Sequence, residues 1–340
     1  MNKIGTPRTT FEHKRAASAL ATTGGWVRGV YANALEYTTA DKSVRGVAFL
    51  FGGLGSGGIA LWGAWMLSDF LDLKPHRFWT TLALVWPGTI FFTLLGLGAL
   101  IWYSRKEFFR PLDLPILFDR KHRQVIWMDR WPPGGLLGMF KPWPVRISRC
   151  DWDRIVPEHH VVTYTTGSTA RQQHTLALMV PHANAQAAAE SITPYADGLL
   201  LGEPMTLTEQ TVPAVWEHVR RYMNAKGPAL PPGERVCDSA RPLGWWQSFG
   251  AVSMFGPGYV KRWHETPYMM GFMHLIAPLM LPLGLAMATA NWLSYLTAYD
   301  VPWPQDVLDQ VGPALEVGQV SGTASTAPQR SARFERNRSS

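Results

Sequence analysis

The sequence predicts a membrane α+β protein with an N-terminal transmembrane helical hairpin, a strand-rich module closed by a helix, and a third transmembrane segment. Three observations carry that prediction. Residues 46–68, 78–104 and 266–299 are long and free of Asp, Glu, Lys and Arg. About 20 apolar residues span the ~30 Å hydrocarbon core of a bilayer. Between the second and third stretches the apolar residues come in short alternating runs, the pattern of half-buried strands. A 3.6-residue period then runs through Val212, Val215, Val219 and Tyr222, which reads as one amphipathic helix.

Taken in order, residues 1–45 form a basic head containing Lys3, Arg8, Lys14, Arg15, Arg28, Lys42 and Arg45. No short apolar region with a cleavage site precedes residue 46, so the first span reads as retained. The head up to about Leu20 reads as disordered. Trp26, Val30, Ala34 and Tyr37 recur at helical spacing, and predict a short helix either on the membrane surface or packed on the module.

The hairpin occupies 46–104, with spans at 46–68 and 78–104. Gly53 and Gly57 make a G-x-x-x-G pattern in the first span, and Gly88, Gly96 and Gly98 lie in the second. Small residues let two membrane helices approach closely. Arg105, Lys106 and Arg110 follow the second span at once, whereas Asp69, Asp72, Lys74, His76 and Arg77 nearly balance at the tip. The positive-inside rule then puts both hairpin ends, the head and the module in the cytoplasm.

Residues 105–240 make up the module. Runs at 115–119 and 124–129 flank Arg120, Lys121, His122 and Arg123 and read as a strand pair around a charged turn. Trp143, Val145 and Ile147 continue the alternation, and 161–165 with 175–180 make a hairpin around Gly167. Residues 241–265 form an aromatic connector containing Trp245, Trp246, Phe249, Phe255, Tyr259 and Trp263, broken by Gly250, Gly256, Pro257 and Gly258. Such rings sit at the headgroup level of a membrane.

The third segment, 266–299, contains Pro278 and Pro282, consistent with either one tilted crossing or a re-entrant pair. Lys261 and Arg262 precede it, and Asp300, Asp306 and Asp309 follow. A single crossing therefore predicts residues 300–340, which end in a solvated tail, on the opposite side from the module.

The chain has 340 residues and a net charge of +7. Its basic residues cluster beside the predicted spans, where anionic lipid accounts for them without nucleic acid. Cys150 and Cys237 both fall in the module and read as free thiols in a reducing compartment.

No G-x-x-x-x-G-K-[ST], H-E-x-x-H or G-x-S-x-G occurs, and no Cys/His spacing suits zinc, so the residues offer no catalytic, cofactor or metal set. The densest acid/base cluster is Asp151, Asp153, Glu158, His159 and His160, with His174 across the predicted hairpin. Adjacent strand residues point to opposite faces, which sets His159 and His160 apart. Glu217 and Arg221 are four apart on the predicted helix and read as a surface ion pair worth ~0.3–0.5 kcal/mol. His274 and Asn291 are polar groups at membrane depth, expected to face protein or a partner helix.

Four local patterns occur together: 115–127 (PILFDRKHRQVIW), 215–223 (VWEHVRRYM), 255–258 (FGPG) and 302–307 (PWPQDV). With them the chain, over roughly 47–312, resembles an uncharacterised bacterial membrane-protein family encoded beside type VI secretion effectors. The first pattern is also similar to the opening hairpin of pleckstrin-homology-like domains.

The resemblance implies an inner-membrane binding protein of interbacterial competition, either an immunity protein for a cognate effector toxin or an effector-loading accessory. A membrane scaffold or a transport component remains a further alternative, and self-association stays open. Trp26, Trp131, Trp143, Trp245, Trp246 and Trp263 form the pool for partner anchors or membrane-interface contacts.

Overall fold

The computed structural model describes residues 6–39, 45–70, 78–131, 133–135, 138, 140–166, 169–182, 195–202, 207–224, 227–237 and 244–315. Two antiparallel sheets form the module. One runs β2 (Val27–Val30), β3 (Ala34–Tyr37), β4 (Ile116–Asp119), β5 (Gln124–Arg130) and β6 (Val145–Asp151). The other runs β1 (Thr6–Thr10), β7 (Val156–Thr166), β8 (Thr169–Pro181) and β9 (Tyr195–Leu201). The predicted α+β class holds.

The helix expected through Trp26, Val30, Ala34 and Tyr37 is absent, and those residues lie in or beside β2 and β3. All four β3 residues are buried, and the strand pairs with β4 from Ala34↔Asp119 to Tyr37↔Ile116. Long-range pairing against a buried strand overrides local spacing. The head also supplies β1, which pairs with β7. The helical hairpin is thus inserted in the connection between two adjacent strands, β3 and β4.

The hairpin consists of α1 (Ala48–Ser68) and α2 (Thr81–Glu107), and both are long and apolar enough to cross a membrane. Gly57 and Gly96 lie against each other across the hairpin. A Cβ on Gly96 would stand 2.9 Å from the Gly57 carbonyl and 2.7 Å from Leu61. Gly53, the other half of the sequence pattern, meets α2 at Tyr103 and also packs against Phe49 of its own helix.

Alternation in β4 and β5 sorts side chains to two cores. Ile116, Phe118, Val125 and Trp127 enter the space between the sheets, which α3 (Thr211–Met223) closes with Val212, Val215, Trp216, Val219 and Tyr222. Trp152 stacks on Trp216 at 5.2 Å between ring centroids. Leu117, Ile126, Met128 and Ala34 face the other way and are covered by Trp303, Val307 and Val311 of the C-terminal segment. Burial on both faces explains why the run at 115–118 is continuously apolar.

Beyond α3 come α4 (Trp245–Val252), α5 (Tyr259–Glu265), α6 (Pro267–Leu275), α7 (Ala277–Leu296) and α8 (Gln305–Val311). Of these, α7 is the third helix long and apolar enough to cross a membrane. The expected placement of the chain after 299 on the far side from the module is corrected for residues 300–315. Leu112 N–H donates to the Tyr299 carbonyl (2.9 Å), Leu315 N–H donates to the Val30 carbonyl (2.8 Å), and α8 lies on the five-stranded sheet. Apolar burial of α8 decides this over the flanking charges. The expected solvated tail falls almost wholly outside the described residues.

Candidate functional site

The ends of all three apolar helices nearest the module converge on a polar collar. At its base the Arg28 guanidinium lies 3.7 Å from Glu36, 3.5 Å from Asp113 and 3.4 Å from Asp300. These carboxylates come from β3, the segment after α2 and the segment after α7. Burial pushes the Glu36 carboxyl above its ordinary range, and Arg28 together with the indole N–H of Trp303 opposes that rise. One cation from the head therefore ties together the chain before, between and after the apolar helices.

The collar continues upward. Asn291 Nδ2 donates to the Arg45 carbonyl at 2.8 Å, and the Arg45 guanidinium donates to the Pro111 carbonyl and lies over the Tyr295 ring. Ser294 Oγ donates to the Glu107 carboxylate (2.9 Å). Trp143, buried here, donates its indole N–H to the Phe108 carbonyl, and its own carbonyl accepts the Tyr299 hydroxyl. Asn291 thus meets protein, as a polar group at that depth should. Arg45 and Glu107 were missed because nothing local shows that two helix ends distant in sequence meet.

A second constellation surrounds His274. The Trp263 indole N–H donates to the Tyr259 hydroxyl (2.8 Å), the hydroxyl meets His274 Nε2 (2.9 Å), and His274 Nδ1 meets the Met270 carbonyl (2.7 Å). The carbonyl only accepts, so Nδ1 carries a proton. Trp263 stacks on it at 5.3 Å and Phe255 meets it edge-on at 5.4 Å. A cavity of about 550 Å³ opens beside this group, lined by Trp246, Phe255, Pro257, Tyr259 and Lys261.

The six tryptophans do not form one surface. Trp26 packs over Gly24 and Gly202 at the edge of the main core. Trp143 lies in the collar, Trp245 and Trp246 join Phe249 on α4, and Trp263 covers His274. Trp131 stands 61 % exposed on the module.

Nor does the acid/base cluster gather. His159 Nε2 meets His174 Nδ1 at 3.0 Å on one face of β7, while Glu158 on the other face binds His160 (2.7 Å) and the Tyr195 hydroxyl (2.9 Å). Asp153 pairs with Arg123 instead. Among the described residues no group of three or more His, Cys, Asp or Glu side chains is placed to hold a metal ion. Cys150 and Cys237 are not joined in a disulfide.

The module carries its own polar cleft of about 470 Å³ where β6 faces β9, lined by Trp127, Asp129, Arg146, Cys150, Arg154 and Asp197. Burial pushes Asp129 upward, although the Ser148 hydroxyl and the Trp127 indole both donate to it.

Two sheets closed by a helix and clamped to long apolar helices define a class, an α+β module integrated with helices able to cross a membrane. The chain belongs to a family of unknown function (DUF6708), whose model matches residues 93–311. That match begins inside α2 and ends with α8, so the C-terminal cover of the second core lies within the family unit. No curated protein and no solved structure matches the chain.

Proposed function

We propose that this is a non-enzymatic binding protein of the bacterial inner membrane that neutralises a type VI secretion effector. Its module would face the cytoplasm. The observation that carries the binding reading is the collar. The module's sheets are built from segments before and between the apolar helices, the segment after them covers one sheet, and Arg28 locks all three together. Such a module is a rigid platform held at a membrane surface, and rigidity lowers the entropic cost of capturing a partner. Its cleft, with Arg146 and Asp197, and the exposed Trp131 offer the mixture of charge and aromatic anchor that interfaces use.

The link to secretion effectors rests on the resemblance of the four local patterns. Two antiparallel sheets closed by α3 support a pleckstrin-homology-like reading of the module.

The test is survival of sensitive cells that express the effector encoded next to the gene, with and without this protein, alongside pull-down from detergent extract. Protection with co-purification is the expected result, and Trp131→Ala or Arg146→Glu should weaken capture at least tenfold, about 1.4 kcal/mol. Capture without protection would replace this reading with an effector-loading accessory. Loss of both would leave a membrane scaffold or transport component.

A further inference from the structure

We propose that the aromatic connector, residues 245–265, is a fourth membrane-crossing leg, broken in the middle, so that the chain enters and leaves the bilayer only on the module's side. This inference is independent of the effector reading.

Contacts between the connector and the helices after it fall in step. Trp245 at the start of α4 donates its indole N–H to Thr289 (3.1 Å). Further along, Phe249 and Ser253 press on Gly284, where an added Cβ would stand 3.2 Å from Ser253 Oγ. Phe255, Tyr259 and Trp263 then gather on His274. The two legs meet at Thr266, which ends α5 and starts α6. Later residues on one leg meet earlier residues on the other all the way down, as in an antiparallel hairpin.

Both ends of this hairpin are tied to the module. Before it, Cys237 N–H donates to the Val27 carbonyl (2.6 Å). After it, the Tyr299 carbonyl accepts from Leu112. The returning leg contains α7, itself long and apolar enough to cross. A chain that starts and finishes on one side must cross an even number of times. The descending leg has about 20 residues, or ~30 Å at helical rise, which matches the hydrocarbon core.

The break is built to survive at depth. Backbone freed between α4 and α5 needs internal partners in lipid. Arg262 reaches back to donate to the Gly256 (3.1 Å) and Pro257 (2.6 Å) carbonyls, and Phe255 N–H donates to Ser253 Oγ (3.2 Å). Gly256 lies directly on Gly250, where a Cβ would fall 2.4 Å from the Gly250 Cα. The chain from Trp263 through Tyr259 to His274 pairs three more polar side chains. Outward, Trp246, Val260, Phe272 and Leu275 are exposed, and lipid is the partner that such an apolar surface fits. The charged Lys261–Glu265 pair sits near the tip, where it would reach the far headgroups.

The test uses the full chain in native membranes with Cys150→Ser and Cys237→Ser as background. Single cysteines are introduced as Lys121→Cys on the module, Glu265→Cys at the tip and Asp309→Cys on α8, then labelled with a membrane-impermeant maleimide from each face. Position 309 should label only from the face that labels 121, and position 265 only from the opposite face. Labelling of 121 and 309 from opposite faces would overturn the proposal in favour of three crossings. Labelling of 265 from the face of 121 would overturn it in favour of a connector lying on the surface. A C-terminal compartment-specific reporter on the otherwise unaltered chain gives the 309 readout without relying on the cysteine variants.

Discussion

At the scale of the residue, Glu217 and His159 set how the module responds to acid. Glu217 is fully buried and accepts from Arg220, Arg221 (2.6 Å) and the Ala17 N–H (3.0 Å). Burial alone would raise its pKa, but these donors, Arg220 foremost, bring it down to about 2. A carboxylate held below its ordinary 4.5 contributes stability above that pH, and the contribution is lost as pH falls through about 2. Glu217→Gln should cost about 3–5 kcal/mol in thermal denaturation, since it strands two guanidinium groups beside a buried amide.

His159 acts in the same sense at higher pH. Burial, with His174 beside it, lowers its pKa to about 4 from the usual 6.5. The unfolded chain therefore takes the proton first, and stability falls as pH drops from 6.5 towards 4, then levels. His159→Gln should flatten that upper limb of the stability–pH curve and leave the part below pH 4 unchanged. The i,i+4 pairing of Glu217 with Arg221 was visible in the sequence, but not its burial. The head segment around Ala17 covers it, and nothing local announces that contact.

At the scale of the element, the apolar helices were legible because their signal is local and long, and because apolar residues recur without charge. Their packing was only half legible. The pattern marked the face, while the partners, Gly96 for Gly57 and Tyr103 for Gly53, are visible only in the structure. Gly96→Val should force the helices apart, because its Cβ meets the Gly57 backbone, which cannot swing away as a side chain can. Gly98→Val, with nothing within 4 Å, is the control. The first should lower the melting temperature in detergent by several degrees, at about 2–4 °C per kcal/mol, and the second should leave it unchanged. The head strands were misread as a helix because spacing in a short segment competes poorly with a partner strand 80 residues away. The descending leg was hidden because Gly250, Gly256, Pro257 and Gly258 break its periodicity.

At the scale of the whole molecule, the module is closed by its two ends. Trp303 is buried against Leu117, Ile126 and Met128, and its indole N–H donates to Glu36 (3.1 Å). Trp303→Ala should cost about 3–5 kcal/mol. A chain ending after Thr297 would bare that whole apolar face and should elute from detergent extracts as aggregate on size exclusion, whereas removal of residues 316–340 should leave the elution position unchanged. A well-behaved chain ending after Thr297 would mean that α8 is dispensable to the second core, and a shift on removing 316–340 would mean that the tail also contributes.

By itself the sequence determined three segments apolar enough to cross a membrane, the α+β class, the amphipathic α3 and the separation of His159 from His160, because each follows from periodicity or composition within one segment. Only the tertiary structure decided that the head belongs to both sheets, that Arg28 gathers carboxylates from three segments, and that the C-terminal segment returns to the module. Those outcomes depend on burying surfaces contributed by residues hundreds of positions apart. The free energy of such burial belongs to the pair of surfaces, and neither segment alone records it.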